Sequence, residues 1–269
     1  MDNRPIGVFD TGLGGLTAVK ELMSIIPNED IVYFGDTARV PYGTRSREII
    51  IKYAEQDLKF LLEHNVKAIL VACGTISSVA LDSLKKISPV FISGVVTPTV
   101  NIAVKSTKNK KIGVLGTGAT ISSGAYERYI KNIEPQMTVI SKACPLFVPL
   151  VENGYIERDN KVSRLVVEDY LENIKNVGVD TVILGCTHYP ILKNIIRDYL
   201  GKDVTLIDSG RESALILSEY IKNNNLHKNS NNQGSYEFYV SDAVENFARL
   251  AEMFLERNLQ NEIKKVDIE

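Results

Sequence analysis

A series of short apolar runs that occurs twice restricts what this chain can fold into more than any other feature. Ile6-Gly7-Val8 returns as Ile112-Gly113-Val114, 106 residues later. Pro41 in Val-Pro-Tyr-Gly is matched by Pro149 in Val-Pro-Leu-Val-Glu-Asn-Gly at an offset of 108. Cys73, closing Ile-Leu-Val-Ala-Cys, is matched at 113 by Cys186, closing Val-Ile-Leu-Gly-Cys. Ile92-Ser93-Gly94 and Asp208-Ser209-Gly210 match more loosely, at about 116. The order is kept while the offset drifts, as two diverged copies of one unit would read; chance similarity among buried strands is the competing explanation.

The runs Ile6–Phe9, Ile31–Phe34, Ala68–Ala72 and Val90–Ile92 read as buried strands, continued by Lys111–Leu115, Thr138–Ile140, Thr181–Leu184 and Val204–Ile207. Between them lie helical patterns such as Arg47–Glu63, with Ile50, Ala54, Leu58 and Leu61 recurring on one face. This alternation predicts an α/β fold of two pseudo-symmetric, doubly wound domains, each a mainly parallel sheet flanked by helices, with the active site in the cleft between them. The second unit is inserted before the first is complete. Residues 1–96 plus 209–269 form one domain and 97–208 the other. A helix over Glu212 to Asn223, an Asn-rich loop to Gly234, a strand Tyr236–Val240 and a helix Val244–Glu256 complete the first, and the charged tail from Asn261 is expected to fray.

Lys and Arg number 31 against 33 Asp and Glu, which argues against nucleic acid as a partner, and no apolar run is long enough to cross a membrane. The chain enters an apolar strand almost at once, without the look of a signal peptide, so a cytoplasmic location is expected. Three cysteines, at 73, 144 and 186, make an odd set with no Cys-x-x-Cys, and the histidines at 64, 188 and 227 have no zinc-type spacing. Neither a disulfide framework nor a metal is expected.

Each copy ends a strand on a cysteine near a threonine: Cys73-Gly74-Thr75 and Cys186-Thr187-His188. Ligands of open α/β sheets bind beyond the carboxyl ends of the strands, so facing copies would set the two thiols on opposite walls of one cleft. One thiolate would remove an α-proton and the opposite thiol would return one, inverting the carbon. Burial alone would raise a thiol pKa, so such a site needs donors or a cation nearby, for which His188 is a candidate. Cys144, without a counterpart in the repeat, reads as a small core residue. Asp10-Thr11-Gly12-Leu13-Gly14-Gly15 fails the dinucleotide fingerprint at Thr17, leaving either a carboxylate-binding turn or a plain strand-to-helix turn. Asp10-Thr11-Gly12 and Asp208-Ser209-Gly210 imitate aspartic-protease triads, but their spacing does not follow the repeat. Glu152 is expected in a loop beside the cleft.

These motifs together resemble those of glutamate racemases, in the cofactor-independent aspartate/glutamate racemase superfamily. The resemblance is carried by Phe9–Leu16, by Asp36–Gly43 with Arg45-Ser46, by Val71-Ala72-Cys73, by Gly113–Thr117 with Thr120, by Pro149–Gly154 and by Leu184–Pro190. It implies that Cys73 and Cys186 are the two acid/base residues, Asp10 assisting the first, Glu152 and His188 the second. It implies a substrate, glutamate, held by Asp10, Thr11, Pro41, Tyr42, Gly43, Gly74, Thr75, Thr117, Thr120, Thr187 and His188. It further implies no pyridoxal phosphate or metal, a homodimer, and supply of D-glutamate for peptidoglycan. Two positions depart from the family pattern: Thr11 replaces the usual serine, and Gly74 the usual asparagine, which removes an amide ligand contact worth about 1 kcal/mol. Aspartate is the rival substrate. A cysteine hydrolase using Cys186 and His188 leaves Cys73 unexplained, and a non-catalytic amino-acid-binding protein explains the cleft and the turns but not both thiols.

Overall fold

The computed structural model describes residues 1–230, 232–255, 259 and 263–268. Among them run the strands β1 (Ile6–Asp10), β2 (Ile31–Gly35), β3 (Ala68–Val71), β4 (Phe91–Gly94) and β5 (Lys111–Gly116). They continue as β6 (Thr138–Ala143), β7 (Thr181–Leu184), β8 (Thr205–Asp208), β9 (Tyr236–Val240) and β10 (Ile263–Lys265). One sheet is ordered β10-β9-β2-β1-β3-β4, the other β6-β5-β7-β8. All pairings are parallel. β1, β2, β3 and β7 are buried along their whole length, because helices cover both faces. Continuous apolar runs rather than alternating ones are what such strands require.

The two sheets share a core order, 2-1-3-4 matching 6-5-7-8. Register strengthens the correspondence. Ile6 lies opposite Ile31 and Ala68, and Ile112 lies opposite Val139 and Thr181, so the two Ile-Gly-Val segments hold equivalent places. Cys73 and Cys186 each stand two residues beyond their strands. The loosest match in the repeat shifts: Gly94 pairs with Val71 and Asp208 with Leu184, so Asp208, not Gly210, is the counterpart of Gly94. Ser209-Gly210 already opens the helix Ser209–Asn223, whose N-cap is Asp208. The copies also diverge after β2 and β6, where Pro41 precedes a 3₁₀ turn, Tyr42–Thr44, whereas Pro149 sits inside a helix, Phe147–Glu152.

The chain leaves the first sheet after β4, builds the second, and returns through the helix Ser209–Asn223, which packs on the helix Leu16–Ile25. The last helix covers Val244–Leu255; Glu256 lies outside the described residues. Ile263–Lys265 adds β10 alongside β9 and occupies hydrogen-bonding groups that a bare edge would leave open, whereas residues 261, 262 and 269 of the tail lie outside the described residues. No helix among the described residues is long and apolar enough to cross a membrane.

Candidate active site

A cavity of about 340 Å³ lies where the carboxyl ends of β1 and β3 face that of β7. Asp10, Thr11, Pro41, Tyr42, Gly43, Cys73, Gly74 and Thr75 line it from the first half. Thr117, Glu152, Cys186, Thr187 and His188 line it from the second. Thr120 alone of the expected substrate-binding residues is set back. Its hydroxyl, wholly buried, accepts from Thr117 Oγ1 at 3.0 Å, and Thr117 Oγ1 in turn meets Thr75 Oγ1 at 3.0 Å. A hydroxyl chain thus crosses from one half to the other, and Thr120 orients it from behind.

The glycine turn after β1 is filled from within. Asp10 Oδ1 accepts the Thr11 N–H at 2.6 Å and Oδ2 accepts the Gly15 N–H. The anion at this helix entrance is therefore the protein's own carboxylate. Thr187 Oγ1 donates to the same Oδ2 at 3.3 Å, tying the Cys186 segment to the turn beside Cys73.

The thiols sit in unlike surroundings. Cys73, the N-cap of the helix Gly74–Val79, accepts the Ile76 N–H at 3.5 Å and directs its own S–H toward Thr11 Oγ1 at 3.8 Å. Burial, and next the negative charge of Asp10, push the Cys73 pKa well above that of a free thiol, so this sulfur rests protonated. Cys186 Sγ lies 3.9 Å from His188 Nδ1, and His188 Nε2 meets Glu152 Oε1 at 3.0 Å. Burial opposes charging of this imidazole, but the hydrogen bonds to Cys186 and Glu152 outweigh it and raise its pKa to about 10. A protonated imidazole beside Cys186 is what a thiolate needs. Glu152 ends the helix Phe147–Glu152 rather than standing in a loop, and this fixes its reach to His188.

Cys144 is a small core residue as read from the sequence, and it also borders the cavity. Being wholly buried, with burial lifting its pKa to about 12, it contributes a neutral wall. Its backbone follows β6 into the cleft, which no repeat position announced.

Tyr42 turns its phenol away from the cavity. The hydroxyl donates to Asp36 Oδ2 and lies 3.3 Å from Asp57 Oδ2. Arg39 bonds Asp36 through Nε at 2.6 Å and Asp57 through Nη2 at 2.9 Å, while Ser241 Oγ donates to the other Asp36 oxygen at 2.8 Å. Burial and the Asp36 charge raise the Asp57 pKa well above the carboxylate range, so Asp57 is held as the acid. This cluster anchors the loop that offers Pro41, Tyr42 and Gly43 to the cavity. Asp57 and Ser241 escaped the sequence reading. The signal for Asp57 was its place in the buried stripe Ile50, Ala54, Leu58, Leu61, where an acid needs a partner. Asp57→Leu removes one partner each of Arg39 and Tyr42, both of which keep Asp36, and is expected to cost about 2 kcal/mol in urea unfolding, and Asp57→Asn, a mimic of the acid, under about 1.

With this geometry, the likenesses of the chain become informative. Residues 17–215 match the family model described as Asp/Glu/Hydantoin racemase. A curated glutamate racemase of Geobacter metallireducens is 43% identical over 252 residues, covering 94% of this chain and 93% of that one. The crystal structure of the glutamate racemase of Francisella tularensis in complex with D-glutamate superimposes with a TM-score of 0.92 at 42% identity, covering 99% of this chain and 98% of the other. The glutamate racemase isoform RacE1 of Bacillus anthracis gives 0.94 at 35% identity, over 99% and 98%. A cavity flanked by two thiols, joined to likeness over nearly the whole length of these proteins, leads to one family: the chain belongs to the Asp/Glu/hydantoin racemases, and is an isomerase.

Proposed function

We propose that this protein interconverts L- and D-glutamate by moving the Cα proton between two thiols. The observation that carries the reading is the placement of Cys73 and Cys186, from corresponding strand ends of two like sheets, on one cavity. Glutamate is chosen over aspartate because the most similar full-length relatives named above are glutamate racemases. A hydrolase built on Cys186 and His188 would leave Cys73 idle, and the buried Cys73 environment would then be unexplained.

In one direction Cys186, as a thiolate beside protonated His188, takes the Cα proton; the Cα–H bond breaks and an S–H bond forms. Cys73, resting as the thiol, gives its proton to the opposite face, and its S–H bond becomes the new Cα–H bond. The other enantiomer reverses the roles. Asp10 supports Cys73, and Glu152 holds His188 in place. Substrate carboxylates and the ammonium group are held by the side chains of Thr11, Thr75, Thr117 and Thr187 and the backbone of Tyr42 and Gly43 at the cavity wall, with Pro41 shaping the loop and Thr120 acting through Thr117. No cofactor is invoked.

The same reading assigns residues 1–96 plus 209–269 to one lobe and 97–208 to the other, and places a homodimer in the cytoplasm, supplying D-glutamate to peptidoglycan synthesis. The lobes rest on the internal repeat, the location on the charge balance and the apolar pattern, and the homodimer and the peptidoglycan role on the family resemblance. Incubation of L-glutamate in deuterated water is expected to give D-glutamate labelled at Cα, with little label in L-glutamate recovered early. Separate donors on the two faces require this. Rapid early labelling of the recovered substrate would contradict two distinct bases.

A further inference from the structure

β2 and β9 are paired as far as Gly35 and Val240, and beyond that point hydroxyl groups carry the pairing on. The Ser241 N–H still reaches Gly35 O at 3.2 Å. Thr37 Oγ1 then accepts the Asp242 N–H at 2.8 Å and donates to Asp242 O, serving both backbone groups of that residue as a strand would. Ser241 Oγ accepts the Ala38 N–H and donates to Asp36 Oδ1, each at 2.8 Å. Ser241 is buried and does not itself line the cavity. The returning chain thus fastens residues 36–38, the root of the loop that carries Pro41, Tyr42 and Gly43 to the cavity.

Asp36 is wholly buried and joins this fastening to the loop. Its Oδ2 accepts from Arg39 Nε and the Tyr42 hydroxyl, and its Oδ1 accepts from Ser241. Its own N–H is bonded to Asp10 O at 3.1 Å, which fixes the loop root against the Cys73 side of the cleft. Without the Ser241 hydroxyl, Oδ1 loses that donor and the carboxylate turns more freely about its Cβ–Cγ bond, taking the Tyr42 phenol with it. Gly43 comes next in the chain and stands against the second half, where a Cβ built on it would lie 3.0 Å from Thr117 Cβ. Any swing of Tyr42 therefore changes the spacing between the Gly43 backbone and Thr117.

We propose that Ser241 is a positioning residue for substrate binding: acting through Asp36 and Tyr42, it fixes the backbone of Tyr42 and Gly43 at the distance from Thr117 that a substrate carboxylate requires. The inference rests on the proposed function, in which these groups hold a carboxylate. The two enantiomers carry the same carboxylates, so a loosened loop weakens the binding of both alike. Cys73 and Cys186 stand at the ends of other strands, and a substrate once bound meets them as before. Ground state and transition state lose the same contact, which raises KM and leaves kcat nearly unchanged.

Ser241→Ala and Ser241→Thr are compared in the full chain. Alanine removes both hydrogen bonds of the side chain, and threonine keeps the hydroxyl. In Ser241→Ala, KM for L- and D-glutamate is expected to rise roughly tenfold, with kcat within about threefold of normal in both directions. In Ser241→Thr, both constants are expected to stay within about twofold of normal. KM does not depend on how much of the protein is folded, so a destabilised variant still reports it. Calorimetric titration with glutarate, a dicarboxylate without an α-amino group, reads carboxylate binding apart from proton transfer, and its Kd is expected to rise by a similar factor in Ser241→Ala. Unchanged KM and Kd in Ser241→Ala, a loss confined to kcat, or an equal loss in Ser241→Thr overturns the positioning role. Failure of the proposed function looks different: the unaltered protein then binds neither glutamate nor glutarate, or racemisation survives Cys73→Ser with Ser241 intact.

Discussion

Serine at either Cys73 or Cys186 is expected to abolish racemisation of both enantiomers, by at least about 10³-fold, in a polarimetric or coupled assay. The exchange of sulfur for oxygen keeps the shape and removes the chemistry. A serine hydroxyl is far too weak an acid to give up its proton near neutrality, and its anion is not populated as a base. Each variant should nevertheless keep a trace of the other half of the reaction. With Cys186 intact, the enantiomer presenting its proton to that sulfur exchanges with solvent but does not invert; with Cys73 intact, the opposite enantiomer does so. Cys144→Ser is the internal comparison. Cys144 shares the cavity wall but is held neutral by burial, with its pKa near 12, so most of the activity is expected to survive. More than a tenth of normal activity in Cys73→Ser or Cys186→Ser would end the two-base account.

The second large effect is directional. His188→Asn removes the cation beside Cys186 and is expected to lower kcat by about 10²-fold in the direction that uses Cys186 as base and by less in the other, with KM compensating so that kcat/KM falls equally in both, as the equal energy of enantiomers requires. Cys73 has no cationic partner among its hydrogen bonds, and its environment keeps the proton on sulfur. The pH dependence follows from the same imidazole. Its pKa in the folded chain, about 10, exceeds the ordinary 6.5, so the folded state binds this proton more tightly than the unfolded one. The stability this contributes is complete below about pH 6.5 and is lost as pH rises through 10. Urea unfolding between these values should show the decline in the unaltered protein and a flatter profile in His188→Asn. Equal loss of kcat in both reaction directions, or an unchanged alkaline profile, would separate His188 from Cys186.

Both sets of expectations draw on features of very different visibility. The cysteines were legible because each closes an apolar run, and in a parallel sheet covered on both faces such a run is a central strand whose end meets the cleft. His188 and Glu152 were legible as neighbours of those runs, although only the helix Phe147–Glu152 shows how the carboxylate reaches the imidazole. The position of the Thr120 hydroxyl behind Thr117 is not legible in the sequence, because it depends on the turn by which Thr117 caps the helix Gly118–Ser122. Cys144 is a core residue as its sequence context indicates, but its place on the cavity wall is not legible, because the course of the chain after β6 departs from its counterpart after β2.

By itself the sequence determined the two-sheet α/β plan, the strand ends and the pairing of one thiol from each copy. Those properties follow from local periodicity and from the order of apolar runs, which survive in a linear string. Tertiary structure alone decided the rest: that Asp10 fills its own turn, that Asp57 keeps its proton beside Asp36, and that Ser241 bonds Asp36 from the far end of the chain. Each of these depends on contact between segments distant in sequence or on the solvent a fold excludes, and neither close approach nor desolvation exists until the chain has packed.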